Sequence, residues 1–155
     1  MKQLDTAAAA PALEIVRIFD APRERVFRAW TDPEVGRLWY APKGHTATHI
    51  HGEVREGSSW RVCMRNDETG GEMWQGRFYR EVTPPEYLAF TLWWEGDDGL
   101  PEHEMLVTVR FEDLGGKTKM TFRQANFASQ DSRDRHEGGW NSVFDNLAAA
   151  LGNVA

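Results

Sequence analysis

The sequence predicts an α+β fold: a curved antiparallel sheet of about seven strands around one long C-terminal helix, with two short helices after the first strand. Three observations carry this expectation. Segments 46–54, 59–66, 72–82, 87–95, 104–112 and 117–124 have strand-like period-two patterning or β-branched and aromatic composition. Their links are short and carry turn residues, such as Glu56-Gly57-Ser58, Thr83-Pro84-Pro85 and Gly115-Gly116. Parallel neighbours need crossovers of about a dozen residues, so links this short favour antiparallel pairing. Finally, segment 129–152 sets His136, Trp140, Val143, Phe144, Leu147 and Leu151 on one helical face.

The elements follow in order. Residues 1–12 are expected to form a loose tail, and residues 13–153 a single domain. Residues 13–19 are rich in Ile, Val and Phe and form the first strand. Asp20 is expected to cap the first short helix, with Pro22 in its opening turn and Val26, Phe27 and Trp30 on its apolar face. Thr31-Asp32-Pro33 repeats the start signal for a second short helix, which ends before the turn Ala41-Pro42-Lys43-Gly44. After the six later strands, the long helix stops at Gly152-Asn153.

Strand parity assigns the inward face. Trp60, Val62 and Met64 share it with Leu88, Phe90, Leu92 and Trp94, with Met105, Val107, Val109 and Phe111, and with Thr118, Met120 and Phe122. The opposite parity holds Arg61, Arg65, Arg110, Lys117, Lys119 and Arg123, a solvated face. Trp74 and Phe78 are expected to join the interior, because aromatic side chains dominate cores.

Composition bounds the function. With 155 residues the chain has room for one ordinary domain. Its net charge of −6 and lack of a basic block argue against a nucleic-acid partner. No apolar run reaches the roughly 20 residues of a membrane span. One cysteine, Cys63, allows no intramolecular disulfide, and a cytoplasmic setting is expected. The 7 Trp, 8 Phe and 3 Tyr suffice to build an aromatic core or line an apolar cavity.

No nucleophile elbow, phosphate-binding glycine loop or zinc-protease motif is present, so no catalytic set and no cofactor are expected. His49-Ile50-His51 is an H-x-H pair on a strand, with His45 at the same parity as His49. Imidazoles so placed can bind metal, but the sequence fixes no third ligand, and no metal is expected. A polar contribution of His45 and His49 to a cavity wall is the competing reading, alongside plain surface histidines. Gly138 and Gly139, inside the long helix, cost about 0.8–1.0 kcal/mol each relative to alanine. They imply close backbone approach to a strand or a ligand, tight helix-on-sheet packing being favoured.

Several stretches in order resemble one family. Asp20-Ala-Pro-Arg-Glu-Arg-Val-Phe-Arg-Ala-Trp-Thr-Asp-Pro33 followed by Leu38-Trp-Tyr-Ala-Pro42 is similar to the opening signature of the activator-of-heat-shock-protein-ninety-ATPase homologues. Val82-Thr-Pro-Pro-Glu-Tyr-Leu-Ala-Phe-Thr91, Val107-Thr-Val-Arg-Phe111, Gly115-Gly-Lys-Thr118 and His136-Glu-Gly-Gly-Trp140 extend the resemblance over nearly the whole chain. The family lies in the START-like (SRPBCC) superfamily. The resemblance implies the helix-grip fold, also seen in the birch-pollen allergen, with an apolar cavity under the long helix. It implies that the positions of His45, Ala47 and His49 border that cavity.

The expected function is a small-molecule binding protein holding an apolar or amphipathic ligand, lipid or polyketide-like, between the helix and the sheet. The expected ligand-binding residues are His45, His49, Met64, Trp74, Phe90, Trp94, Met105, Phe122, His136, Trp140 and Phe144. Two alternatives stand beside it. One is a cyclase or hydrolase using His45 and His49 with Glu53 or His136 as acid–base groups. The other is a chaperone-cofactor-like interaction domain linked to the stress response, with a chaperone or a second copy of the chain as partner.

Overall fold

The computed structural model describes residues 11–153. The expected tail lies outside the described residues up to residue 10, and Ala12 already opens the first strand. The elements are β1 (Ala12–Phe19), α1 (Arg23–Thr31), α2 (Pro33–Gly36), β2 (His45–Gly52), β3 (Ser59–Asn66), β4 (Glu72–Thr83), β5 (Tyr87–Trp94), β6 (Met105–Asp113), β7 (Thr118–Ala125) and α3 (Gln130–Asn153). They form one seven-stranded sheet in the order β1-β7-β6-β5-β4-β3-β2, antiparallel throughout. The chain thus runs as a meander from β2 to β7, and β1 closes on β7.

The inward face follows the parity argument. Val62, Leu88, Phe90, Leu92, Val107, Val109, Met120 and Phe122 are fully buried, and α3 covers them with Trp140, Val143, Phe144, Leu147 and Leu151. Helix α1 inserts Trp30 between sheet and helix. Its indole lies 6.3 Å from the Phe122 ring, 6.2 Å from Trp140 and 6.1 Å from Phe144, and meets Trp39 edge-on at 5.1 Å. Arg17 ties edge strand β1 to α3 through Asp145, at 3.0 Å, and the Asn141 carbonyl.

Local chemistry explains most boundaries. Asp32 caps α2 by accepting from the Glu34 amide at 3.0 Å, with Pro33 at the first helical position. Asp20 does not cap α1: the N-cap is Pro22, and no side-chain capping bond is made. The cause is the extended backbone of Pro22 (φ −67°, ψ 152°), which places the N-cap two residues beyond Asp20.

Three expectations about facing are corrected. A bulge between Ala47 and His49 shifts the register of β2 on β3. Beyond it, Ile50 turns inward while His49 and His51 stand exposed outside. In β4, Trp74 and Phe78 take the outward parity, and the inward positions are Gln75, Arg77 and Tyr79, at 2%, 1% and 0% exposure. The register on β3, Gln75 opposite Val62 and Arg77 opposite Trp60, forces this assignment whatever the polarity. Lastly, Gly138 and Gly139 make no close approach: a Cβ at either would meet nothing within 4 Å. Gly76, by contrast, is required by the packing. The Trp93 indole lies flat on the outer face over it, and a Cβ there would come within 2.4 Å of the ring nitrogen.

Leu147 is the test of the helix-on-sheet contact, being fully buried on the sheet-facing side of α3. Leu147→Ala is expected to lower unfolding free energy by about 2–5 kcal/mol. Leu38→Ala, at a leucine 61% exposed, should stay within about 0.5 kcal/mol. Chemical denaturation of the two variants measures both; equal stability would detach α3 from the core.

Candidate functional site

A cleft of about 1010 Å³ opens between α3 and the β3–β5 end of the sheet. This is the upper end of the range for small-molecule sites, about 300–1,000 Å³. It exists because the Trp30 cluster fills only one end of the space under α3. At the other end Gly139, without a side chain, faces the cleft and leaves it open.

The walls are Met64 from β3, Met105 from β6, Trp94 from β5, and Trp140 and Val143 from α3. Methionines and indoles suit apolar guests of irregular shape. The floor is polar, formed by Tyr40 and Gln75, 3% and 2% exposed. The Tyr40 hydroxyl donates to Gln75 Oε1 at 2.7 Å. Burial pushes the Tyr40 phenol above its ordinary pKa, although Arg77 beside it pulls the other way, so Tyr40 is a neutral donor. The rim carries Glu72, Glu95, Asp97 and Glu102 against Arg61 and Arg135. Arg61 grips Glu95 with two bonds of 2.6 and 2.7 Å and stacks on the Trp74 ring at 3.9 Å. Those bonds hold the Glu95 carboxyl below the usual carboxylate range.

His136 closes the mouth. Its Nε2 accepts from the Trp94 indole N–H at 3.0 Å, and its Nδ1 donates to the Ser132 carbonyl at 2.7 Å. Two fixed partners select one neutral tautomer. Burial pushes its pKa down, Arg135 adds to that, and the Ser132 bond opposes it. Protonation would set two N–H groups against each other, so His136 joins β5 to α3 and is no free acid or base.

Of the residues expected from sequence, the structure brings Met64, Trp94, Met105, His136 and Trp140 together in the cleft wall. Trp74 borders the cleft from its outward position under Arg61. Phe90, Phe122 and Phe144 lie in the sealed core, each 0% exposed, and do not reach the cleft. His45 and His49 are outside it. His45 sits at the start of β2 near the Lys43 carbonyl, and the bulge turns His49 outward, its ring 5.9 Å from that of Trp74. Glu53 is exposed and paired with Arg55. The acid–base set of the cyclase or hydrolase reading is therefore not assembled in the cleft. Cys63 has outward parity yet is fully buried, with His49 and Trp74 as its neighbours across the strands.

Sequence reasoning missed Tyr40, Gln75 and Arg77. Polar residues at inward positions break the hydrophobic pattern, and the usable signal was the pairing of β4 with β3, which a sequence alone does not fix.

The match to the family described as Activator of Hsp90 ATPase homolog 1-like protein spans residues 20–152. The chain belongs to this family. Solved structures agree on the helix-grip fold. The AHSA1 protein from Silicibacter pomeroyi is 26% identical, with TM-score 0.84, covering 92% of this chain and 98% of that one. An uncharacterized protein from Rhizobium leguminosarum is 29% identical, with TM-score 0.76 and coverage of 94% and 96%. A protein from Arthrobacter aurescens shares the fold at 24% identity and TM-score 0.83, covering 93% and 87%. Among curated proteins, no relative matches the chain. In the described residues of this family member, no helix is long and apolar enough to cross a membrane.

The His136 latch gives a pH prediction. A histidine with a lowered folded pKa contributes stability above its unfolded value of about 6.5, and that stability is lost as pH falls from there through the folded value. The melting temperature should drop over this interval, and His136→Gln should flatten the drop. NMR titration of the His136 ring is the direct measurement; a midpoint at or above the free-histidine value contradicts the latch.

Proposed function

We propose that this protein binds a small apolar or amphipathic molecule in the cleft under α3. The observation that carries the reading is the cleft itself: large, walled by Met64, Trp94, Met105 and Trp140, and kept open by Gly139. Family membership supports a ligand-binding or chaperone-related domain, and an apolar cleft with a few polar floor groups fits the first. The Tyr40 hydroxyl, Gln75 Oε1 and both His136 ring nitrogens are engaged in fixed hydrogen bonds that orient rather than transfer protons. A binding role without chemistry is therefore the reading favoured here. Residues 13–153 act as one unit in it, with the cytoplasm as the setting.

The experiment is tryptophan fluorescence and thermal shift against a panel of fatty acids, flavonoids and polyketide-like aromatics, with native mass spectrometry of the purified protein. Ligand should quench emission and raise the melting temperature with concentration. Gly139→Leu should fill the cleft and weaken binding at least tenfold. Gly138→Leu, on the exposed side of the same turn, should not. Should the whole panel fail to quench or stabilise, a chaperone partner becomes the leading reading.

A further inference from the structure

Arg77 is buried to 1% exposure and forms no ion pair among the described residues. An arginine keeps its charge in proteins and presents five N–H donors. Nη1 donates to the Tyr79 hydroxyl at 2.9 Å, while Nε has no partner. The guanidinium otherwise rests on aromatic faces, 3.9 Å from the Trp60 centroid and 4.5 Å from those of Tyr40 and Phe90. Rings offset part of the cost of burying a cation, but they do not neutralise it. A void bordered by Arg77 measures about 10 Å³, room for one water at most and not for a counter-ion.

This uncompensated charge lies directly behind the cleft floor. Tyr40 touches the guanidinium on one side and lines the cleft on the other. Gln75 is two residues from Arg77 on the same face of β4, about 7 Å along the strand. Its Oε1 is taken by Tyr40, but its Nε2 has no acceptor among the described residues and is not sealed from the cleft. The contrast is Gln124, whose two ends are used by Trp140 and Met105. The floor therefore offers a free donor backed by a cation. At the rim, carboxylates outnumber guanidiniums and repel an anion.

We propose that the cleft selects a monocarboxylate amphiphile, inserted with its carboxylate accepting from the free Gln75 amide N–H in the field of Arg77 and its apolar chain along Met64, Met105 and Trp140. This deepens the ligand-binding reading and rests on it. Attraction between unit charges at this separation, in a poorly hydrated floor, multiplies affinity by about tenfold or more.

The test compares decanoate with decanol at neutral pH, by fluorescence and calorimetry on the full chain. Decanoate is expected to bind at least tenfold tighter. Arg77→Met should bring the two affinities close to equal. Because that variant also empties a packed site, Gln75→Glu provides an independent arm: it gives Arg77 an internal carboxylate, so the melting temperature should rise and decanol should become the better ligand. Equal affinities in the wild type would overturn the acid preference and leave the ligand-binding reading standing. A tenfold preference that survives in Gln75→Glu would also overturn it. Binding of neither probe, together with failure of the wider panel, would remove both.

Discussion

The position of Trp30 is the constraint on which the rest depends. A single helix cannot fill the concave face of a seven-stranded sheet, since its cylinder is only about 10–12 Å across. Helix α1 supplies the missing volume at one end, where the Trp30 indole packs against the touching Phe122 and Trp140 rings and abuts Trp39 and Phe144. Rings this deep contribute about 3–5 kcal/mol each by truncation. The aromatic wealth of the sequence is spent at that end, and what remains under α3 is the cleft.

The cleft inherits its chemistry from the same arrangement. Its inner boundary is Tyr40, carried just after α2, which is edge-on to Trp39, Trp60 and Trp140. A side chain so confined cannot rotate away freely, so the hydroxyl and its Gln75 partner are presented in one geometry. The outer boundary is held by a different kind of bond, the Trp94–His136 contact between sheet and helix. The floor is thus set by packing and the mouth by a hydrogen bond that acid can break.

The architecture was readable from the sequence because its signals are redundant. Alternation in β3, β5, β6 and β7 agrees with itself four times, and the face of α3, from His136 to Leu151, repeats over about four turns of helix. The site was readable only where it shares that pattern, as at Met64, Met105 and Trp140. It was hidden in two places for different reasons. In β4 the segment Trp74-Gln75-Gly76-Arg77-Phe78-Tyr79 pairs each aromatic with a polar neighbour, so hydrophobicity pointed the wrong way and only register could decide. In β2 one inserted residue exchanged the faces of everything after Ala47, which no periodicity argument can foresee. The twin glycines of α3 imply close approach to a strand or a ligand, with packing favoured, whereas both face open space and Gly139 borders the cleft.

That same irregularity in β2 bears on how the molecule behaves in a crowded solution. Among the described residues β2 is an edge of the sheet, with no second strand on its outer side. A straight edge of this kind is a template for another chain and a starting point for aggregation. The bulge bends the strand and breaks the even spacing a second strand would need, and exposed His49 and His51 load the outer surface with polar rings. The kink that took two histidines away from the ligand site therefore also guards the sheet's open border against its own copies.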